Sequence, residues 1–132
     1  MPEDLSLEDR LDLHELAARY GNVIDRRAWG ELSDVFTDDA SFEVRGFSDT
    51  DARHDGLEAI RAMLASSRHP VAHHVTNVEV TTANGATHLF FKVVGPGARG
   101  RVGSADYRDT VRREPGGWRI ARHIATLRRP TT

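Results

Sequence analysis

The chain contains no cysteine, which excludes disulfides, a thiol nucleophile and thiolate metal sites. Lysine is almost absent: Lys92 stands alone against arginines spread along the chain, and the C-terminal pair Arg128-Arg129 is too short to form a basic tract. With a formal net charge of −2, nothing in the charge balance points to nucleic acid. No apolar run approaches the ~20 residues of a membrane-spanning helix. The opening Met1-Pro2-Glu3-Asp4 is acidic and has no apolar signal core. These absences lead to the expectation of a cytoplasmic protein with neither a membrane nor a nucleic-acid partner. Recognisable chemical motifs are also missing. Gly95-Pro96-Gly97 lacks the Lys-Ser/Thr and following helix of a phosphate loop, and no serine sits in a nucleophile elbow. Seven histidines occur without a His-x-His or His-Glu-x-x-His spacing. No metal and no cofactor is expected.

What is present suits one domain over residues 1–132, long enough to bury a core around a small pocket. Ser6-Leu7-Glu8-Asp9 has the form of a capping box with Asp in the Glu position. Leu13, Leu16, Ala17, Tyr20, Val23 and Ile24 then recur at helical spacing, predicting a helix to about Arg27. A short second helix is expected over Trp29 to Phe36, ended by Thr37-Asp38-Asp39, with a short strand over Ser41 to Val44. Residues 45–55 read as a loop, and Gly56 to Ser67 as a third helix. From Val71 the period changes to that of strands. One runs from Val71 to Thr82 and ends at the hairpin signal Asn84-Gly85. It is followed by Ala86 to Val94, a Gly-rich loop over 95–100, Ser104 to Arg113, and Trp118 to Arg128 after a turn at Glu114-Pro115-Gly116-Gly117.

Helices first and then an antiparallel meander make an α+β pattern: three N-terminal helices packed on a strongly curved, mainly antiparallel sheet, leaving a cone-shaped hollow for a small ligand. One alternation set among Leu89, Phe90, Phe91 and Val93 must face away from the helices. A homodimer through the sheet is therefore expected.

The most concentrated chemistry lies in His73-His74-Val75-Thr76-Asn77. Imidazoles take and give protons near neutral pH. On a regular strand the two histidines face opposite sides. His73 would then join Val75, Asn77 and Glu79, and His74 would join Thr76, Val78 and Val80. The apolar pattern favours the His74 face as the buried one, unless a bulge intervenes. Tyr20 and Asp25, five residues apart on the first helix, are separated by about 140° around its axis, on neighbouring faces of the helix end. Asp109 shares a strand face with Tyr107 and Val111, opposite Asp106. Either aspartate is a candidate pocket acid, but an ion pair with Arg108, Arg122 or a neighbour across the sheet is the simpler reading for both. His88 and His123 are read in the same way, and His14, His54 and His69 as exposed.

Several stretches in order resemble the SnoaL-like branch of the nuclear-transport-factor-like superfamily: Tyr20 through Ile24-Asp25-Arg26-Arg27-Ala28-Trp29, Val35-Phe36-Thr37-Asp38-Asp39-Ala40, His73-His74-Val75-Thr76-Asn77, Ala105-Asp106-Tyr107-Arg108-Asp109 and Gly116-Gly117-Trp118-Arg119-Ile120. The resemblance implies an α+β cone with a deep pocket, often a homodimer, in a family that includes scytalone dehydratase, ketosteroid isomerase, polyketide cyclases, limonene epoxide hydrolase and the small subunit of ring-hydroxylating dioxygenases. It matches Asp25 to the dehydratase's buried aspartate and, registered on Asn77, His73 to its catalytic histidine. Val44 stands where the dehydratase has a pocket tyrosine, and no histidine matches its second catalytic one.

The resemblance leads to an expected cofactor-independent lyase, isomerase or cyclase that moves a proton next to a carbonyl of an apolar oxygenated substrate. His73 is the base, Asp25 orients it and Tyr20 polarises the substrate oxygen. The alternative expectation is a non-catalytic ligand-binding or dimerising accessory subunit of the same fold.

Overall fold

The first helix, α1, spans Leu7–Asp25 and begins on the predicted cap. The Ser6 N–H donates to Asp9 Oδ2 at 3.2 Å, and the Asp9 N–H donates to Ser6 Oγ at 3.0 Å, satisfying amides that have no partner within the helix. The helix stops at Asp25 rather than at Arg27, because Arg27 takes a left-handed φ of 53°. The Ala28 N–H then closes back on Val23 O at 3.0 Å. Residues 4–47, 49–97 and 102–128 are described by the structure, a computed structural model.

The second predicted helix is a 3₁₀ turn, Trp29–Asp34. Strand β1, Phe36–Arg45, is longer than expected because it absorbs Thr37-Asp38-Asp39. It does so irregularly. Phe36 pairs with Ile120 and Ser41 with Arg122, with a register shift between them, and the Thr37 hydroxyl donates to Asp39 Oδ1 at 2.8 Å. The predicted loop contains a short edge strand, β2 (Ala52–Asp55), antiparallel to β1. Helix α2 spans Leu57–Ser66. Strands β3 (His74–Ala83), β4 (Ala86–Pro96), β5 (Val102–Glu114) and β6 (Gly117–Arg128) form the meander. Gly95 and Pro96 belong to β4; residues 98–100 of the expected loop lie outside the described residues.

The six strands make one curved, open sheet in the order β2-β1-β6-β5-β4-β3, antiparallel except where β1 runs parallel to β6. Three helical segments pack on it, the α+β cone architecture anticipated from the chain. Leu13, Leu16, Ala17, Tyr20, Val23 and Ile24 of α1 meet Leu89, Phe91 and Val93 of β4 and Ala105, Tyr107 and Val111 of β5 in the core, each large apolar side chain contributing about 1.5–3 kcal/mol on burial. Phe90 takes the opposite, outer face, where Lys92 and Arg108 lie over its ring at 5.5 and 5.2 Å.

Strand β3 carries the decisive irregularity. Thr76 pairs with Lys92 but Glu79 pairs with Phe90, so one extra residue is inserted. Asn77 sits there with a φ of 54°, the left-handed conformation that asparagine tolerates better than most residues. The insertion reverses the alternation. Val75 before it and Val78 and Val80 after it all pack against the core.

Candidate functional site

His73 lies one residue before β3 begins, on the segment that links α2 to the sheet. With the bulge downstream, its ring falls on the same side as Val75, Val78 and Val80. The His73 side chain is 5% exposed, whereas His74 is exposed. The periodicity that favoured His74 extrapolated one alternation through a position where it changes phase.

Asp25 closes on His73 from the end of α1. The imidazole Nδ1 lies 2.6 Å from Asp25 Oδ1, and the His73 backbone N–H donates to both carboxylate oxygens at 2.9 and 3.1 Å. A carboxylate in the last turn of a helix opposes the helix dipole, and these contacts supply its compensation. They also assign the tautomer: Nδ1 carries the proton facing Asp25, leaving Nε2 for a ligand. Burial pulls the His73 pKa below its usual value, outweighing Asp25, which raises it; His69 lowers it further. Gly21 makes the close approach possible, since a Cβ there would lie 3.1 Å from His73 Cβ.

Tyr20 sits between two imidazoles. Its ring is edge-on to His73 at 6.3 Å and stacked on His123 at 4.7 Å. Tyr107 stands edge-on to Tyr20 at 5.3 Å. Burial raises the Tyr20 pKa well above the usual phenol value, with Tyr107 and Asp109 adding to the effect. Burial likewise pushes Tyr107 up to about 12. Both phenols therefore remain protonated donors across the physiological range.

Asp109 finds its partner in a neighbour across the sheet, His123, and not in Arg108 or Arg122. Asp109 and His123 are direct partners across β5 and β6, and His123 Nδ1 lies 2.5 Å from Asp109 Oδ1 with both side chains fully buried. Asp109 Oδ2 and His123 Nε2 have no partner among the described residues. Burial raises the Asp109 pKa, against the lowering effect of His123. Asp106 instead binds Lys92 at 2.7 Å and Arg128 at 2.9 Å, the ion pairing expected of it.

Tyr20, His73 and Tyr107 line a cavity of about 760 Å³ whose remaining wall is mostly apolar, with Ile24, Phe42 and Val93 among its residues. Val44 lines it as well, as do His54 and His69, which are half-buried rather than exposed. Asp109 and His123 lie behind the tyrosines and do not line it. Sequence reasoning passed over Tyr107 and the depth of His123. The alternation that places Tyr107 beside Asp109 was visible, but the register across to β6 was not. Among the described residues, no group of three or more His, Asp or Glu side chains is arranged to hold a metal, and no helix is long and apolar enough to cross a membrane.

The profile of the SnoaL-like domain matches residues 5–123. The chain belongs to the SnoaL-like family. An uncharacterized protein of Mycobacterium tuberculosis is 30% identical to it over 126 residues, 91% of this chain and 86% of the relative. A crystal structure of an NTF2-like protein with a cystatin-like fold from Novosphingobium aromaticivorans superposes with a TM-score of 0.76 at 30% identity, covering 95% of this chain and 85% of the other. The hexachlorocyclohexane dehydrochlorinase LinA-type3 from Novosphingobium barchaimii shares the fold with a TM-score of 0.73 at 20% identity, over 96% and 93% of the two chains. As a SnoaL-like protein the chain is a small-molecule-pocket protein, and His73 is part of its cavity wall.

Proposed function

We propose that this SnoaL-like protein is a cofactor-independent lyase, isomerase or cyclase that moves a proton on an apolar oxygenated small molecule. The observation that carries this reading is the Asp25–His73 pair at the wall of an apolar cavity. His73 Nε2 is the general base and takes a proton from carbon next to a carbonyl. Asp25 fixes the ring and stabilises the imidazolium that forms. Tyr20, backed by Tyr107, donates toward the oxygen on which negative charge develops. The apolar wall excludes water, so these donors act in a low dielectric.

The test is solvent deuterium exchange, followed by proton NMR, at the carbon adjacent to the carbonyl in a panel of apolar hydroxyketones. The wild type is expected to catalyse exchange in members of the panel, with His73→Gln about 10²–10⁴-fold slower. Exchange that is insensitive to His73→Gln, or none anywhere in the panel, argues against the reading.

Val44, lining the cavity where the dehydratase has a tyrosine, favours a second reading, a non-catalytic binding or accessory subunit. Retention of a ligand without exchange or turnover would select it. The homodimer belongs to either reading. Its support is the outer sheet face, where Phe90 and Ile124 are half-buried beside charged neighbours, and sedimentation of a monomer at micromolar concentration would reject it.

A further inference from the structure

Among the described residues, no carboxylate and no side-chain amide lines the cavity. The other polar lining side chains, the imidazoles His54, His69 and His73, the two phenols and the serines, carry no fixed negative charge. Among the described residues, the fully charged lining group is Arg68.

Carboxylates hold many of the arginines: Glu43 takes Arg45, Arg53 and Arg122, Asp106 takes Arg128, Asp9 takes Arg113 and Asp39 takes Arg112. Arg10, Arg19, Arg27 and Arg108 are not so held among the described residues, and none of these four lines the cavity. Arg68 has no carboxylate partner among the described residues, although it stands on a firmly held stretch of backbone. The Ser67 hydroxyl before it donates to Met63 O at 2.6 Å. The ring of His69 after it lies 2.6 Å from Leu64 O, and the Val71 N–H donates to Pro96 O at 2.9 Å. Gly95 packs so closely on Pro70 that a Cβ would fall 2.6 Å from the proline Cβ. The backbone that carries this exposed guanidinium is thus held at the rim of an apolar hollow, where low-dielectric walls focus its field.

We infer that the ligand is an amphiphilic monoanion, an apolar body ending in a carboxylate-class group, with Arg68 as the countercharge. A guanidinium pairs with planar carboxylates through two parallel hydrogen bonds. Among the described lining residues Arg68 supplies one full positive charge, which matches a single anionic group. The anion sits at the rim while the apolar body extends past His73 toward Tyr20 and Tyr107. As the substrate class of the proposed reaction this rests on the reading above; as a statement about binding it does not require turnover.

The experiment compares two fluorescent probes on the full chain. Anilinonaphthalenesulfonate is a monoanion, and phenylnaphthylamine has the same rings without the sulfonate. The wild type is expected to bind the sulfonate about tenfold more tightly than the neutral amine, and Arg68→Gln to erase that gap while leaving the amine within about twofold. Arg68→Lys should retain part of it, and added salt should narrow it in the wild type alone. Because Arg68 is exposed, the unchanged affinity for the amine also reports that the cavity is intact. Sulfonate affinity that is insensitive to Arg68→Gln, or equal weakening of both probes, overturns the inference. Deuterium exchange measured separately shows whether the proton-transfer reading fails with it or survives.

Discussion

Asp25 and His73, distant in sequence, are joined by three hydrogen bonds, one from the imidazole and two from the backbone N–H of the same residue. The carboxylate therefore orients both the ring and the peptide that carries it. Burial and Asp25 pull the His73 pKa in opposite directions, and burial prevails. A base acts in its neutral form, so activity should rise with pH through a limb lying below 6.5, the ordinary histidine value. Asp25→Asn removes the group that favours the imidazolium. The limb should move to still lower pH, and the plateau should fall by at least about tenfold as orientation is lost. A pH–rate profile of deuterium exchange measures both, and a limb that moves upward would contradict this account.

Gly21 is the point where α1 touches the His73 segment. Replacing a helical glycine with alanine ordinarily adds about 1 kcal/mol of helix propensity. Here the new methyl would sit 3.1 Å from His73 Cβ, with His73 O and Val75 close behind at 3.4 Å. Gly21→Ala is expected to lower the exchange rate without raising the unfolding midpoint by the amount propensity alone would give. A fully stabilised variant with wild-type rate would show that the segment yields freely.

Asp109 and His123 form a buried pair with two polar atoms left unpartnered among the described residues. Removing one member strands the other, so Asp109→Ala should cost about 3–5 kcal/mol in chemical denaturation. Replacing both, with Asp109→Leu and His123→Phe, should recover much of that loss, giving a clear coupling in the double-mutant cycle. Additive losses would show that the two act independently. The pH dependence has a definite sign. Because the folded-state pKa of Asp109 is raised above 3.8, its contribution to stability is fully present below that value and is lost as pH rises through the folded pKa. The cost of Asp109→Asn should therefore be larger in acid than at neutral pH.

Asp9 shows the opposite sign. Its carboxylate caps α1 and binds Arg113 Nη2 and Trp118 Nε1, joining the first helix to β5 and β6. Arg113 is the main cause of its pKa falling to about 2, with Trp118 next. Its contribution to stability is present above 3.8 and is lost as pH falls toward 2. Thermal melts should show Asp9→Asn less stable than the wild type near neutrality, the gap closing on acidification. A gap that is constant with pH would remove the charge from the explanation.

The chain's own pattern determined a good deal of this. The helical period of Leu13 through Ile24 and the Ser6–Asp9 cap specify α1, because both depend only on neighbours along the chain. The change to strand period after Pro70 and the Asn84-Gly85 turn specify the meander in the same local way. Tyr20, Asp25 and His73 were legible as candidates from their chemistry and from the family resemblance. What only the tertiary structure decided depends on pairing between distant strands. The edge strand β2 has no local signal and exists because β1 offers it an open edge. The depth of Asp109 and His123 follows from the register of β5 on β6, which neither strand encodes alone. The choice between His73 and His74 was made by one residue inserted opposite β4 at Asn77. A period of two has no memory across such an insertion, so the face of the histidine was settled by pairing rather than by pattern.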